Sequence, residues 1–296
     1  MRPPRTALRL TLAGAVAVAA ALLVSTASEP DPRPNHRAFW IDSGAKRLRA
    51  VRAGAGATIV LLHGYGESLI AWRAVFDRLA HRADVVALDL PGFGLSSKPA
   101  SGYSTDSLAA DVLRALDALG IERAVLVGHS LGGAVAAAAS IAAPERVRAL
   151  VLIDPAVVTS PRLDEAVRRL KTAIAEYEIL RPRLTSPHDR AWLAEPDSES
   201  TAYTTAGDST YRAALQAVLR EFDFGYLSAG RSQLVRAPTL LIWGEFDQLI
   251  PLELGEALVR ELPNARLEIV RRSWHRPHVE RPDDVAALIV QFLDTH

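Results

Sequence analysis

The stretch Gly128-His129-Ser130-Leu131-Gly132-Gly133 decides how the rest of this chain is interpreted. It fits the pattern G-x-S-x-G, with Ser130 at its centre. The apolar run 124–127 before it has the length of a strand, and the alanine-rich run 133–142 after it predicts a helix. A serine on such a sharp strand-to-helix turn presents its hydroxyl clear of its neighbours, and the glycines permit the strained turn. The start of the helix offers free N–H groups to a developing negative charge.

Short apolar strands alternate with amphipathic helices on both sides of this motif. Strands are predicted at 38–42, 47–52, 58–62, 84–88, 124–127, 147–153, 238–243 and 266–270, and helices at 69–80, 104–119, 133–142, 163–180, 252–262 and 282–294. This alternation predicts an α/β fold, in which a mostly parallel central sheet is flanked by helices on both faces. Between 156 and 236 the pattern becomes helical and charged. We therefore predict one sheet domain, 38–155 and 237–296, interrupted by a helical cap insertion at 156–236.

The first residues differ from the rest of the chain. Residues 1–9 carry three arginines and no acid, residues 10–24 are almost wholly apolar, and residues 25–27 are small. This order is typical of a secretory signal peptide at 1–27, followed by a proline-rich linker at 28–37. An uncleaved membrane anchor through residues 10–27 is the alternative, because the apolar stretch approaches the ~20 residues of a membrane span. Both interpretations predict an extracytoplasmic location.

Composition excludes several classes of protein. The chain has 34 basic and 34 acidic residues and no long basic run, so nucleic acid is not an expected partner. It has no cysteine, which removes disulfides, thiol catalysis and cysteine-based metal sites. The apolar fraction of 49% is ample for a large core. We expect neither a cofactor nor a metal.

A serine nucleophile needs a base, and the base needs an orienting acid. Asp247 follows the apolar strand 238–243, at the carboxyl end where ligands bind in open α/β sheets. The alternative role for Asp247 is a turn residue that bonds its own backbone. Glu245 and Asp154 are reserve candidates for the acid, and Asp154 is the better of the two because it also follows a strand end.

Two histidines compete for the role of the base. His275 and His278 both follow the last predicted strand, from which a loop side chain can reach Ser130. Either one is also compatible with an ordinary surface position. Two histidines three residues apart raise the possibility of a metal site, but no third cluster of ligands supports it. The residues alone leave the choice between His275 and His278 open.

Five motifs carry a resemblance to a known family. They are His63-Gly64-Tyr65-Gly66, Asp89-x-Pro91-Gly92-Phe93-Gly94-x-Ser96, the Ser130 motif, Trp243-Gly244-x-x-Asp247 and His275-x-Pro277-x-x-Glu280-x-Pro282. From about residue 51 to 292 the chain resembles the α/β-hydrolase fold family, in the broad group of esterases, lipases, haloperoxidase-like enzymes and meta-cleavage product hydrolases. The resemblance assigns the base to His275 and implies that His278, Glu280 and Pro282 begin the final helix. One departure is Trp274, where the family commonly has glycine.

The resemblance also implies a site and an activity. The oxyanion hole would use the backbone N–H groups of Leu131 and Tyr65, and the Tyr65 side chain is a candidate substrate contact. The implied activity is a serine hydrolase that cleaves a small to medium apolar carboxylic ester through an acyl-enzyme on Ser130. Carbon–carbon hydrolysis of a meta-cleavage product and perhydrolase activity are alternatives on the same triad. Serine in place of a carboxylate nucleophile argues against haloalkane dehalogenase and epoxide hydrolase chemistry.

Two non-enzymatic functions are alternatives to this activity. Some proteins of this fold bind ligands without turning them over, but they usually lack a triad member, and a membrane-tethered interaction module would rest on the N-terminal segment alone. His63, His129 and Asp89 are expected to serve the structure, since buried polar groups near tight turns usually bond the backbone. The aromatic residues of the insertion are expected to pack rather than to recognise substrate. They are Tyr177, Trp192, Tyr203, Tyr211, Phe222 and Phe224.

Overall fold

The computed structural model describes residues 36–176 and 209–295, with side chains described outside 170–176. The strands in these residues form one eight-stranded sheet. They are β1 (Arg37–Ser43), β2 (Lys46–Ala53), β3 (Thr58–Leu62), β4 (Asp84–Leu88), β5 (Ala124–His129), β6 (Val147–Ile153), β7 (Thr239–Gly244) and β8 (Ala265–Val270). The spatial order is β1-β2-β4-β3-β5-β6-β7-β8. Strand β2 pairs antiparallel with both β1 and β4, and the remaining neighbours pair parallel, which confirms the predicted mostly parallel sheet.

Helices cover both faces of this sheet. The described residues contain α1 (Arg73–Ala80), α2 (Thr105–Ala118), α3 (Leu131–Ala142), α4 (Pro161–Glu176), α5 (Ser209–Glu221), α6 (Leu252–Glu261), α7 (Pro277–Glu280) and α8 (Pro282–Leu293). Side chains alternate between the two faces of a strand, so Val60 and Leu62 of β3 belong to the core cluster on the face that α2, α3 and α6 cover. Ile59 and Leu61 pack with α1 and α8 on the other face. The carboxyl ends of the parallel strands are thereby left to carry the site loops.

The turn between β5 and α3 is tighter than the sequence predicts. The helix begins at Leu131 rather than at Gly133, and Ser130 is the residue before its first turn. A side chain at Gly128 would meet the Gly132 carbonyl oxygen at 2.2 Å, and one at Gly132 would meet the Leu62 carbonyl oxygen at 2.2 Å. Only glycine permits these approaches, so tertiary contact overrides its weak helix propensity.

The described parts of the insertion between β6 and β7 contain helices α4 and α5 and no strand. Tyr211 and Phe222 are buried with the main core, as expected for packing residues, and Phe224 packs against it partly buried. Tyr177, Trp192 and Tyr203 lie outside the described residues, as do positions 177–180 of the predicted helix 163–180. The predicted leader at 1–27 and nearly all of the linker also lie outside them. Across the described part of the chain, every helix is too short or too polar to cross a bilayer.

The end of the chain differs from the resemblance in one respect. His278 and Glu280 lie in the short helix α7, and the final helix α8 begins separately at Pro282. Arg281 between them has φ −138° and ψ 56°, outside the helical region. The cause is Pro282, whose ring disfavours helical geometry at the residue before it.

Candidate active site

Ser130 occupies the turn where β5 passes into α3. Its backbone has φ 50° and ψ −114°, which residues with a side chain rarely adopt. Backbone hydrogen bonds on both sides hold this geometry: the Ser130 N–H donates to Ile153 O at 2.9 Å, and Ser130 O accepts, among others, from the N–H groups of Gly133 and Ala156 at 3.0 Å each. The turn is therefore fixed by both neighbouring elements, and the residue that carries the hydroxyl is only 8% exposed.

The structure brings the three predicted triad residues together. His275 Nδ1 lies 2.7 Å from Asp247 Oδ2, and His275 Nε2 lies 3.2 Å from Ser130 Oγ. With Nδ1 donating to the carboxylate, Nε2 is free to accept the Ser130 proton. A side chain at Gly244 would meet the Trp274 carbonyl oxygen at 1.8 Å, so this glycine lets the end of β7 approach the His275 loop.

Asp247 is held in its charged form. Its Oδ1 accepts the backbone N–H groups of Leu249 at 2.8 Å and Ile250 at 2.9 Å. Burial raises the pKa of Asp247, but the hydrogen bond and charge of His275, together with the two backbone N–H groups, lower that pKa below its usual value. The carboxylate is therefore ionised at neutral pH and can orient an imidazole beside it.

Neither reserve acid is hydrogen-bonded to His275 in the described structure. Asp154 is fully buried after β6, and its Oδ1 accepts the Gly244 N–H at 2.9 Å. Burial, followed by the charge of Asp247, raises the pKa of Asp154 well above its usual value, which favours the neutral acid. Glu245 accepts the Arg272 N–H at 2.8 Å and so braces the loop after β8.

The two amides predicted for the oxyanion hole lie beside this turn. Leu131 is the first residue of α3, and Tyr65 follows β3 in the loop that begins with His63 and Gly64. Within the described residues, neither N–H has a hydrogen-bond acceptor. The Tyr65 hydroxyl, a predicted substrate contact, instead donates to Leu215 O of α5 at 3.1 Å. Burial raises the pKa of Tyr65, so the phenol stays neutral.

Comparison with known proteins identifies the family. Residues 57–177 match the family described as the alpha/beta hydrolase fold. Over 249 residues the chain is 32% identical to 2-hydroxymuconate semialdehyde hydrolase of Pseudomonas sp. strain CF600, which covers 81% of this chain and 88% of that protein. The chain belongs to the α/β-hydrolase fold family. Several of its relatives bear hydrolase names, and it is a hydrolase.

Solved structures agree with this assignment. A thermophilic esterase from Thermogutta terrifontis superposes with a TM-score of 0.69 at 25% identity, covering 88% of this chain and 98% of the esterase. A bacterial membrane phospholipase A superposes with a TM-score of 0.70 at 28% identity, covering 96% of each chain. The α/β-hydrolase fold predicted from the motifs is confirmed.

The second candidate base of this α/β hydrolase has a different environment. His278 is fully buried in α7, with its ring 4.4 Å from that of Trp72 and 4.3 Å from that of His129 between centroids. Neither of its ring nitrogens has a hydrogen-bond partner among the described residues. Burial, followed by the charge of His129, lowers the pKa of His278 well below its usual value. The ring is therefore a neutral packing element, and the structure places His275 rather than His278 at Ser130.

The polar groups expected to be structural do bond the backbone. His63 Nδ1 donates to Gly64 O at 2.8 Å, and its Nε2 accepts the Leu90 N–H at 3.0 Å. Burial lowers the pKa of His63. Asp89 accepts the N–H groups of Leu69 at 2.7 Å and Leu95 at 2.9 Å. These bonds fix the loops after β3 and β4.

Trp274 marks the departure from the family pattern, and it does not displace the neighbouring His275. Its side chain is 52% exposed, and its ring lies against that of Phe246 at 5.8 Å between centroids. Its backbone N–H donates to Glu280 Oε2 at 2.7 Å. The bulky side chain is thus directed to the surface while the backbone is held by α7.

Sequence reasoning missed one residue of the site, Glu67. It follows the His63-Gly64-Tyr65-Gly66 motif, and its carboxylate contacts His129 and Arg276, the neighbours of Ser130 and His275 in the chain. An acid three residues after Gly64 was the available signal. The sequence showed no reason to connect it with residues so distant along the chain.

Proposed function

We propose that this protein is a serine hydrolase that cleaves a carboxylic ester with a small to medium apolar acyl group. The observation that carries the proposal is the pair of hydrogen bonds that joins Asp247 to His275 at 2.7 Å and His275 to Ser130 at 3.2 Å. This arrangement makes an alcohol nucleophilic at neutral pH without another group. The esterase and phospholipase among its structural relatives support an ester as substrate.

The reaction follows from the geometry. His275 Nε2 takes the hydroxyl proton as Ser130 Oγ attacks the ester carbonyl, and the resulting oxyanion accepts hydrogen bonds from the Leu131 and Tyr65 amides. As the carbon–oxygen bond breaks, His275 returns the proton to the leaving alcohol. Water, deprotonated by His275, then attacks the acyl-enzyme, and the acid leaves as Ser130 regains its proton. Asp247 stays ionised and stabilises the imidazolium in both halves.

A second candidate reaction has one specific observation in its favour. The relative from Pseudomonas sp. strain CF600 is named a 2-hydroxymuconate semialdehyde hydrolase, and it is 32% identical to this chain. Hydrolysis of a carbon–carbon bond in such a ring-fission product would use the same triad. The two reactions differ in the leaving group, so substrate turnover separates them.

The location proposed for this enzyme is extracytoplasmic. The support is the order of charge, apolar run and small residues at 1–27, which is typical of exported proteins. The mass of the mature protein tests the two forms of this proposal. Loss of the leader indicates export with cleavage, and an intact chain in the membrane fraction indicates an anchor. An intact chain in the cytoplasm would contradict both.

The activity is tested with a fluorophosphonate probe and a series of p-nitrophenyl esters of graded chain length. We expect covalent labelling at Ser130, located by peptide mass spectrometry, and fastest turnover of a short or medium acyl chain. Ser130→Ala is the matched control for labelling. A wild-type protein that neither reacts with the probe nor hydrolyses any ester or ring-fission product would favour a non-catalytic binder.

A further inference from the structure

Glu67 connects two loops of the site that are far apart in the chain. Its Oε2 accepts the Gly64 N–H at 3.0 Å and lies 3.0 Å from His129 Nδ1. Its Oε1 lies 2.7 Å from Arg276 Nε. One carboxylate, 12% exposed, therefore touches the loop that carries Tyr65, the residue before Ser130 and the residue after His275.

His129 extends this contact to the backbone of the catalytic histidine. Its Nε2 donates to the carbonyl oxygen of His275 at 2.7 Å, and its Nδ1 faces Glu67. In its doubly protonated form the ring satisfies both acceptors at once. Glu67 is thus connected to the His275 backbone by two routes. One runs through the His129 side chain, and the other through Arg276, the next residue in the chain.

The same loop orients the second oxyanion donor. The carbonyl oxygen of Gly64 accepts from His63 Nδ1 at 2.8 Å and from the Glu67 N–H at 3.2 Å. A trans peptide is planar, so the Tyr65 N–H points opposite to this bonded carbonyl. The direction of the Tyr65 amide is consequently set by the bonds that hold Gly64, and the Glu67 side chain supplies the one on the Gly64 N–H.

The Glu67 carboxylate is charged in the folded protein. Burial raises the pKa of Glu67, but the hydrogen bond and charge of His129 and the charge of Arg276 lower that pKa well below its usual value. Removing a buried carboxylate that bonds both His129 and Arg276 is costly, because it leaves those two partners unpaired. The cluster is therefore a rigid connection between the loops.

The same cluster also has the composition of a metal site. Glu67, His129 and His278 place a carboxylate oxygen and ring nitrogens within 4.8 Å of one another. The Arg276 guanidinium already bonds Glu67, and a bound cation would be repelled by it. The His278 ring also lies against that of His129, with 4.3 Å between centroids. These observations favour a hydrogen-bonded connection over a coordination sphere.

We propose that Glu67 is a positioning residue that couples the oxyanion loop to the catalytic-histidine loop. It holds the Gly64 amide on one side, and through His129 and Arg276 it holds the backbone around His275 on the other. This role rests on the proposed serine chemistry. It keeps the Tyr65 amide and the His275 ring in a fixed position relative to each other.

The test compares Glu67→Gln with Glu221→Gln in the full chain. Glu221 is a matched control because its carboxylate, like that of Glu67, accepts from the backbone: its partners are the N–H groups of Gly102 at 2.8 Å and Tyr103 at 2.9 Å, and neither belongs to a site loop. For Glu67→Gln we expect kcat on a p-nitrophenyl ester to fall about tenfold to a hundredfold, which is less than the loss of an oxyanion donor outright. KM should change less than about twofold, because an oxyanion interaction acts in the transition state. Glu221→Gln should leave both constants within about twofold.

Several outcomes would overturn the proposal. One is a Glu67→Gln enzyme with wild-type kcat, and another is a loss of kcat that Glu221→Gln reproduces with an equal fall in melting temperature. If Glu67→Gln does not fold, Arg276→Ala breaks one arm of the same connection and should lower kcat without raising KM, and an unchanged kcat there counts against the proposal. Inactivity of the wild type, or activity of Ser130→Ala, would instead contradict the proposed function itself.

Discussion

Two carboxylate–imidazole pairs lie side by side in this molecule and differ in what the far nitrogen faces. Asp247 bonds His275 at 2.7 Å, and Glu67 bonds His129 at 3.0 Å. The Nε2 of His275 faces the Ser130 hydroxyl, which has a proton to give. The Nε2 of His129 faces a carbonyl oxygen, which has none. The same pair of groups therefore serves as a proton relay in one place and as a backbone clamp in the other.

The two histidine side chains also differ in their exposure to solvent. The His275 side chain is 20% exposed, whereas that of His129 is 2% exposed. A relay must admit substrate and water, and a clamp is strongest where water is excluded. An acid beside a histidine is thus weak evidence of catalysis until the partner of the second nitrogen is known.

The largest effect should come from breaking the relay at its nucleophile. Ser130→Ala removes the attacking oxygen, and we expect kcat to fall by on the order of 10⁶, as in other serine triads. His275→Ala should cost nearly as much, because His275 is the base that contacts the hydroxyl among the described residues. His278→Ala, measured on folded protein, should cost far less. Steady-state ester hydrolysis checks all three, and the reverse order for the two histidines would show that the base is misassigned.

A smaller effect should separate the two acids near β7. Asp247→Asn loses the charge that orients His275, and we expect kcat to fall by about 10⁴. Burial raises the pKa of Asp154 and favours its neutral form, and Asp154→Asn keeps an uncharged acceptor for the Gly244 N–H. That variant should retain activity within about tenfold of wild type. Kinetics that ranked Asp154→Asn as the more damaged enzyme would reverse the assignment of the acid.

The smallest effect concerns His278, which belongs to neither pair by hydrogen bonding. Its pKa is lowered well below the usual value in the folded state, so below about pH 6.5 the unfolded chain takes up a proton that the folded chain does not. Stability should therefore fall as pH falls below that point, by up to about 1.4 kcal/mol per pH unit for this group. His278→Phe should reduce that slope. Urea unfolding between pH 7.5 and 5 measures it, and identical slopes in the two proteins would contradict the inference.

Much of the fold could be predicted because its signals are local. The apolar strand before Ser130 and the amphipathic helix predicted at 104–119 each follow from a pattern of neighbouring residues, and the structure bears them out. The start of α3 and the break at Arg281 were missed. In the first case glycine packing outweighs helix propensity, and in the second the ring of Pro282 constrains its neighbour.

The site was harder to predict because its contacts are distant in the chain. Chain order identified Asp247 as a candidate, but spacing could not separate His275 from His278, since both follow β8 within a few residues. The two histidines are distinguished only in the folded protein, where α7 buries the ring of His278 against that of Trp72. Glu67 was missed for the same reason, as its partner His129 is 62 positions away.

The backbone conformation of Ser130 determines which residue selection would favour at this position. A residue with a side chain at φ 50° and ψ −114° costs on the order of 1–3 kcal/mol, and glycine would adopt that conformation with little penalty. A library of variants screened only for resistance to heat would therefore enrich glycine at this position. The fold would gain from the exchange, and only selection on turnover keeps the hydroxyl.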